Sequence, residues 1–139
     1  MGRYFSFLTV LATNSTRFDG FCKFLNQLIF VGRLAKIPEL KTHGDVSVCN
    51  FTLLRDDYVG KDAAGEAKKK TVGIPFVAFG SNAANIAKYC FKGDQLVVTA
   101  RIENDSWDRE GEKQYGYNFI VDDFEFGAPG EEKRNSFQK

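Results

Sequence analysis

The chain has 139 residues, 43% of them hydrophobic and 27% charged, which is enough for one domain with a core and excludes a disordered chain. Its net charge of +1 excludes a global basic field, so any nucleic-acid site must be a local arrangement of cations. The three cysteines and single histidine include no Cys-x-x-Cys pair, which excludes the usual zinc patterns and favours a reduced, cytoplasmic setting.

Residues 1–23 differ in character from the rest of the chain. Their apolar run, residues 4–12, is far too short to span a membrane and is followed by no small-residue cleavage site. We interpret residues 1–23 as an N-terminal extension that adds nothing to the chemistry, with a transit sequence or an extra strand as alternatives. No membrane partner is expected.

Three strands are predicted next. Residues 25–34 carry apolar side chains at both odd and even positions, so both faces of this strand are apolar. The glycine at position 32 indicates a bend or bulge. A turn around Pro38 leads to a second strand, in which Cys49, Phe51 and Leu53 alternate with polar residues. Residues 56–70 are predicted to be a long polar connection. The third strand, residues 72–78, contains Pro75, which indicates an edge or an irregularity.

One helix and two more strands complete the predicted domain. Ser81 is a candidate N-cap and Gly93 a candidate C′ residue, and the apolar residues between them recur at helical spacing. A fourth strand, a polar hairpin NDSWDREGEKQ and a fifth strand follow. The fifth strand alternates Tyr115, Tyr117, Phe119 and Val121. This order predicts an all-β fold, a five-stranded Greek-key OB-fold barrel with one short helix between strands three and four.

The loops of such a barrel decide what it binds. An unpaired nucleic-acid strand needs cations that follow its phosphates and flat side chains on which its bases stack. Tyr58 and the triplet Lys68-Lys69-Lys70 lie in the predicted connection, and Trp107 lies in the polar hairpin. Phe79, on the parity opposite Phe76, is a third candidate platform. The alternatives are a core position for Phe79, a structural role for Trp107 and a solvated loop for the lysines.

Over residues 25–127 the chain resembles the bacterial single-stranded DNA-binding proteins. The resemblance rests on LNQLIFVGRLAKIPELK, on NFTL, on FGSNAANIAKYCFKGDQLVV and on the tryptophan-containing hairpin. It implies base-stacking aromatics at Phe79, at Trp107 and near Tyr58. It implies phosphate contacts at Lys68 and Lys92, and also at Arg33 on the first strand; Lys70 is added as a member of the lysine triplet. It further implies a homotetramer and no catalysis. No cofactor and no metal are expected.

The expected function is therefore sequence-independent binding of single-stranded DNA, which protects the DNA during replication, recombination and repair at the nucleoid. Two alternatives remain at this stage. A primosome-type OB-fold adaptor would use the barrel mainly for protein contacts. A small hydrolase would pair Cys49 or Cys90 with His43, although both cysteines occupy positions typical of buried apolar residues.

Several residues depart from the family pattern. Gly73 stands where a stacking tryptophan is usual, Gln27 stands where a cation is common, and Glu103, Asn104 and Asp105 replace a basic approach to Trp107. Residues 24–127 contain 13 Lys/Arg and 15 Asp/Glu, a difference of −2, which predicts lower affinity and a shallower salt dependence.

The polar tail, residues 128–139, also departs from the family. It contains Phe137 but no aspartate and closes on Lys139. The tail therefore argues against recruitment of replication and repair enzymes through an acidic tip. A plasmid, phage or accessory member of the family would fit these departures.

Overall fold

A computed structural model describes residues 26–138 of the chain, so the predicted N-terminal extension, residues 1–23, lies outside the described residues. Six strands and two helices follow one another along the chain. They are β1 (Leu28–Leu34), β2 (Glu39–His43), β3 (Val46–Lys61), β4 (Ala67–Phe79), α1 (Gly80–Tyr89), β5 (Gln95–Arg109), β6 (Glu112–Phe126) and α2 (Glu131–Phe137).

The strands form one sheet that closes on itself. Their order is β1-β5-β6-β4-β3-β2, and an additional pairing of β1 with β3 completes the ring. All pairings are antiparallel except that of β4 with β6, where Val77 lies beside Ile120. This arrangement confirms the predicted OB-fold with a helix between the third and fourth core strands. The strand count differs from the prediction, because residues 39–43 pair with β3 as a sixth strand.

The core consists of the inward side chains of these strands. Phe76 lies at its centre, with ring centroids 5.8 Å from Phe51, 5.9 Å from Phe30 and 6.1 Å from Phe119. Gly32 is required where β1 crosses β3, since a Cβ atom there would lie 2.9 Å from the carbonyl oxygen of Leu54. The bend predicted at Gly32 is therefore a close backbone approach that lets the barrel close.

Helix α1 covers one end of the barrel with Ala83 and Ile86, which are fully buried. Its predicted ends are wrong. The helix begins at Gly80 with Phe79 as its N-cap and no side-chain cap, so Ser81 lies inside the first turn. It ends at Tyr89, and Gly93 belongs to the turn that follows. Within residues 26–138, no helix has the length and apolar character needed to cross a membrane.

Two antiparallel arms extend from the barrel. Residues 56–70, predicted to be an irregular connection, instead continue β3 and β4 as paired strands. Their tip is closed by the Asp62 carboxylate, which accepts hydrogen bonds from the N–H groups of Ala64 and Glu66, both at 2.9 Å. We call residues 55–72 the lysine arm. The hairpin predicted around Trp107 is confirmed as the ends of β5 and β6, and we call residues 103–117 the tryptophan arm.

The segment after β6 packs against the barrel through Asp94. The carboxylate of this buried residue accepts hydrogen bonds from the N–H groups of Phe91 at 2.9 Å and Gly130 at 2.7 Å. Lys133 of α2 lies 3.7 Å from the same carboxylate and donates a hydrogen bond to the carbonyl oxygen of Tyr89. These contacts attach the first part of the polar tail to the domain.

Candidate nucleic-acid interface

The side chains of β3 and β4 that point away from the core form one continuous outer face. The pairing register places Asn50 opposite Val77, Val48 opposite Phe79, and Leu54 opposite Gly73. Residues directly opposite each other in an antiparallel pair have side chains on the same side of the sheet. Strand β2 extends the rows, because Glu39 pairs with Asn50 and Lys41 with Val48.

A groove of about 910 Å³ crosses this outer face. Its floor contains Asn50, Thr52, Pro75 and Val77 of β3 and β4, together with Asn118 of β6. Its walls come from residues 35–37, from β2 and from the turn after α1, and they carry Lys36, Lys41, Lys92 and one carboxylate, Glu39. The groove therefore lies where OB-folds bind oligonucleotides, on the face of the second and third core strands beside the first loop.

The groove contains one predicted residue and two lysines that sequence reasoning missed. Lys92 was expected to contact phosphate and does line the groove. Lys36 and Lys41 were not predicted, although they flank Pro38 in AKIPELK, and cations on both sides of a proline turn were the available signal. Arg33 projects from β1 beside Leu54, and its guanidinium donates a hydrogen bond to the carbonyl oxygen of Gly93 at 2.9 Å. Arg33 and Lys92 thus lie at the same turn.

Phe79 lies on the outer face, two residues along β4 from the groove residue Val77. Its side chain is 43% exposed, and its neighbour across the strands is Val48, which in turn pairs with Lys41. An aromatic ring, a small apolar residue and a cation therefore form a row beside the groove. The alternative that Phe79 belongs to the core is not what the fold shows.

On the lysine arm, Tyr58 points to the same outer side of β3 as the groove residue Asn50. Tyr58 is 63% exposed and pairs with Lys69. Lys70 pairs instead with Asp57, and alternation along β4 directs both Lys68 and Lys70 away from the tyrosine. The cation beside Tyr58 is thus Lys69, whereas Lys68 and Lys70, predicted as phosphate contacts, lie on the other face of the arm.

Trp107 lies on the tryptophan arm above a glycine. A Cβ atom at Gly116 would come within 2.8 Å of the Trp107 Cζ3 atom, so the indole covers the backbone there. The ring is 48% exposed and lies outside the core, as expected for a stacking residue. Glu103 and Asp105 share its parity along β5, so its surroundings are acidic.

Arg101, on β5 just before the tryptophan arm, contributes little free positive charge there. Arg101 donates hydrogen bonds to Glu103, at 2.8 Å, and to Asp122. The hydrogen bond that Arg101 donates to Glu103 is the main cause that raises the pKa of Arg101, and the nearby charge of Asp122 adds to it. Arg101 is therefore held in an ion-pair network on the protein.

A side chain of the neighbouring strand β3 covers the position of Gly73. The Cδ2 atom of Leu54 lies 3.0 Å from where a Cβ atom of residue 73 would be. An apolar aliphatic side chain therefore covers the site at which the resemblance implies a stacking ring in other members.

Cys49 and Cys90, the cysteines within residues 26–138, are not arranged as nucleophiles. Cys49 and Cys90 are buried, and burial raises the pKa of both thiols, that of Cys90 to about 11 with a further contribution from Asp94. A thiol with a raised pKa forms little thiolate and is unreactive at neutral pH. His43 is exposed on β2 and pairs with Val46, whereas Cys49 pairs with Leu40 and Ala78. The Cys–His alternative has no geometric support.

Comparison with known proteins gives a consistent result. The single-strand binding protein family matches residues 25–127. Single-stranded DNA-binding protein 2 of Clostridium acetobutylicum is 34% identical over 105 residues, which are 73% of this chain and 76% of that protein. Single-stranded DNA-binding protein 3 of the same organism is 34% identical over 115 residues, 81% of this chain and 77% of that protein.

A solved structure shares the fold. The Plasmodium falciparum SSB complex with ssDNA superimposes with a TM-score of 0.63 at 23% sequence identity, covering 75% of this chain and 96% of that chain. At this identity the likeness shows the common fold.

Proposed function

The chain belongs to the single-strand binding protein family, and from this premise we propose that it binds single-stranded DNA without sequence preference. It is a binding protein and not an enzyme, as the family indicates. The observation that carries the proposal is the outer face, where a groove edged by Lys36, Lys41 and Lys92 adjoins the exposed ring of Phe79.

Two kinds of contact would hold the strand. Bases stack on exposed aromatic rings at about 1–3 kcal/mol each, and this contact tolerates any base because every base has a flat face. The rings available are Phe79 beside the groove, Tyr58 on the lysine arm and Trp107 on the tryptophan arm. The groove lysines Lys36, Lys41 and Lys92 would contact phosphates, and so would Arg33. These contacts release counterions and make binding weaker at high salt.

The biological role follows from this binding mode. Protein that covers exposed bases protects unpaired DNA, so we infer a role during replication, recombination and repair, in the cytoplasm at the nucleoid. Association into a homotetramer is part of the proposal. Ile29 is exposed on β1 and pairs with Thr99, and Val31 pairs with Val97, so an apolar strip lies on the outside of the barrel. Burial of such strips favours symmetric association.

One experiment tests the proposal directly. The full chain is titrated with single-stranded oligonucleotides of graded length and with a matched duplex, while light scattering measures the mass. We expect binding to the single strands, much weaker binding to the duplex because its base faces are hidden, and the mass of a tetramer. Equal or tighter binding to the duplex contradicts the proposed function, and a monomer at micromolar concentration contradicts the assembly.

A further inference from the structure

Two tyrosines on the tryptophan arm have no role in the site described above. Tyr115 and Tyr117 share the parity of Phe119 and Val121 along β6. In the structure Val121 is buried and Phe119 is partly buried, but Tyr115 is 70% and Tyr117 69% exposed. They project from β6 beyond the barrel, on the face of the arm opposite to Trp107, because Trp107 pairs with Gln114 on the other parity.

The spacing of these two rings suits one nucleic-acid base. Residues i and i+2 of a strand point to the same side and lie roughly 6.7 Å apart. Stacked bases of a strand are separated by about 3.4 Å, so a base between two such rings would have one stacking distance on each side. We propose that Tyr115 and Tyr117 form a clip that holds one unpaired base between their rings. This inference rests on the proposed function.

The groups around the clip fit a nucleic-acid strand better than those around Trp107. The pairing register places Ser106 beside Tyr115 and Asn104 beside Tyr117, and both side chains can donate and accept hydrogen bonds at a base edge. The Lys113 ammonium group lies 6.0 Å from the centre of the Tyr115 ring, where it can contact the phosphate that follows the base.

The two faces of the tryptophan arm differ in charge. The Trp107 face carries Glu103 and Asp105, which repel phosphate, whereas on the tyrosine face the strand register places Asp108 opposite a cation, Lys113. A polyanion therefore meets less net negative charge on the tyrosine face.

Conservative substitutions test the clip. Tyr115→Leu and Tyr117→Leu keep an apolar side chain but remove the flat ring, and Tyr115→Phe and Tyr117→Phe keep the ring as matched controls. We expect each Leu variant to bind a long single-stranded oligonucleotide about 5-fold or more weakly, and each Phe variant to bind like the unchanged chain. Because both side chains are exposed, the melting temperature of all four variants should be unchanged.

A cross-linking measurement identifies the base in the clip. An oligonucleotide that carries 5-iododeoxyuridine is irradiated in the complex with the unchanged chain, and the attached peptide is located by mass spectrometry. Attachment at Tyr115 or Tyr117 supports the clip. Attachment confined to other positions, combined with normal binding by both Leu variants, overturns it while leaving the proposed function intact.

The remaining outcomes are also decisive. If the unchanged chain does not bind single-stranded DNA at all, the proposed function fails and the clip fails with it. If the Leu variants bind DNA normally but lose mass in light scattering, the tyrosines contact another copy of the chain, and the clip is wrong.

Discussion

The two arms share a construction but differ in chemistry. Both are antiparallel extensions of barrel strands. The lysine arm contains five Lys/Arg, four Asp/Glu and one aromatic residue, whereas the tryptophan arm contains two Lys/Arg, five Asp/Glu and three aromatic residues. Binding an unpaired strand needs both cations and flat rings. In this chain the two requirements are divided between two arms, and the groove of the barrel lies on the face that joins them.

This division makes Trp107 the residue whose loss should cost the most. Replacement of Trp107 with Ala should weaken single-stranded DNA binding by about 1–3 kcal/mol, the usual contribution of one stacked base. The unfolding free energy should change much less than the roughly 3–5 kcal/mol seen for a buried tryptophan, because the ring is half exposed. Titration and melting of the same variant separate the two effects.

The control for this experiment is Trp107→Phe, which keeps a stacking ring and should retain most of the affinity. The fluorescence of the unchanged chain should also fall on addition of single-stranded DNA and saturate at a defined ratio. Normal binding by Trp107→Ala together with early melting would show a structural tryptophan instead.

A ring added to the lysine arm should reduce the difference between the arms. Gly73→Trp places an aromatic side chain at the base of this arm, and Leu54→Ala removes the side chain that now covers the position at 3.0 Å. We expect the double variant to bind tighter by up to about 1 kcal/mol, at the low end for one stacked base. Gly73→Leu with the same Leu54→Ala change lacks a flat ring and should show no gain. An equal gain in both would mean that apolar bulk, and not stacking, is responsible.

Gly116 allows a sharper test of how Trp107 is positioned. An alanine methyl group there would lie 2.8 Å from the indole, so the ring has to move. Gly116→Ala should weaken binding by less than Trp107→Ala does, and should leave the melting temperature unchanged or raise it, since glycine weakens a strand. In the Trp107→Ala background, Gly116→Ala should have no further effect on binding. An additive loss in the double variant would contradict the contact.

The smallest expected effect concerns single cations of the lysine arm. Lys69→Gln should reduce the slope of log K against log salt by about 0.7, the value for one phosphate contact on a single strand. Lys70→Gln, on the other face of the arm, is the matched control and should leave the slope unchanged. Equal slopes for the two variants would show that the face of the arm does not decide phosphate contact.

Much of the fold was predictable because burial leaves a local pattern in the chain. Cys49, Phe51 and Leu53 alternate with polar residues in the sequence and are buried in the structure. The helix was placed from the spacing of Ala83 and Ile86. The same logic failed for residues 56–70, because an exposed two-stranded arm buries neither face and needs no apolar alternation. The alternation of Tyr115 and Tyr117 continues past the end of the core, so the pattern alone did not indicate their exposure.

The candidate site was predictable only in part. Phe79 and Trp107 were identified from an aromatic residue on the outward parity and from a tryptophan in a polar hairpin. Lys36 and Lys41 were missed, because a groove wall forms only when the first loop folds back over the face of β3 and β4. Lys68 was taken from the family resemblance and Lys70 from the lysine triplet. Lys69 was not singled out, because residues 56–70 were expected to be an irregular connection and the pairing of Tyr58 with Lys69 is not visible in the sequence.

The sequence by itself determined the barrel, the helix that covers it and the family, since these depend on local alternation, on turn residues and on motifs that can be read along one chain. The tertiary structure alone decided which outward side chains share a surface. Strand register pairs residues far apart in sequence, such as Lys41 with Val48 and Val48 with Phe79, and a shift of one residue sends a side chain to the opposite face. The groove, the cation beside Tyr58 and the exposed tyrosine pair all follow from that register.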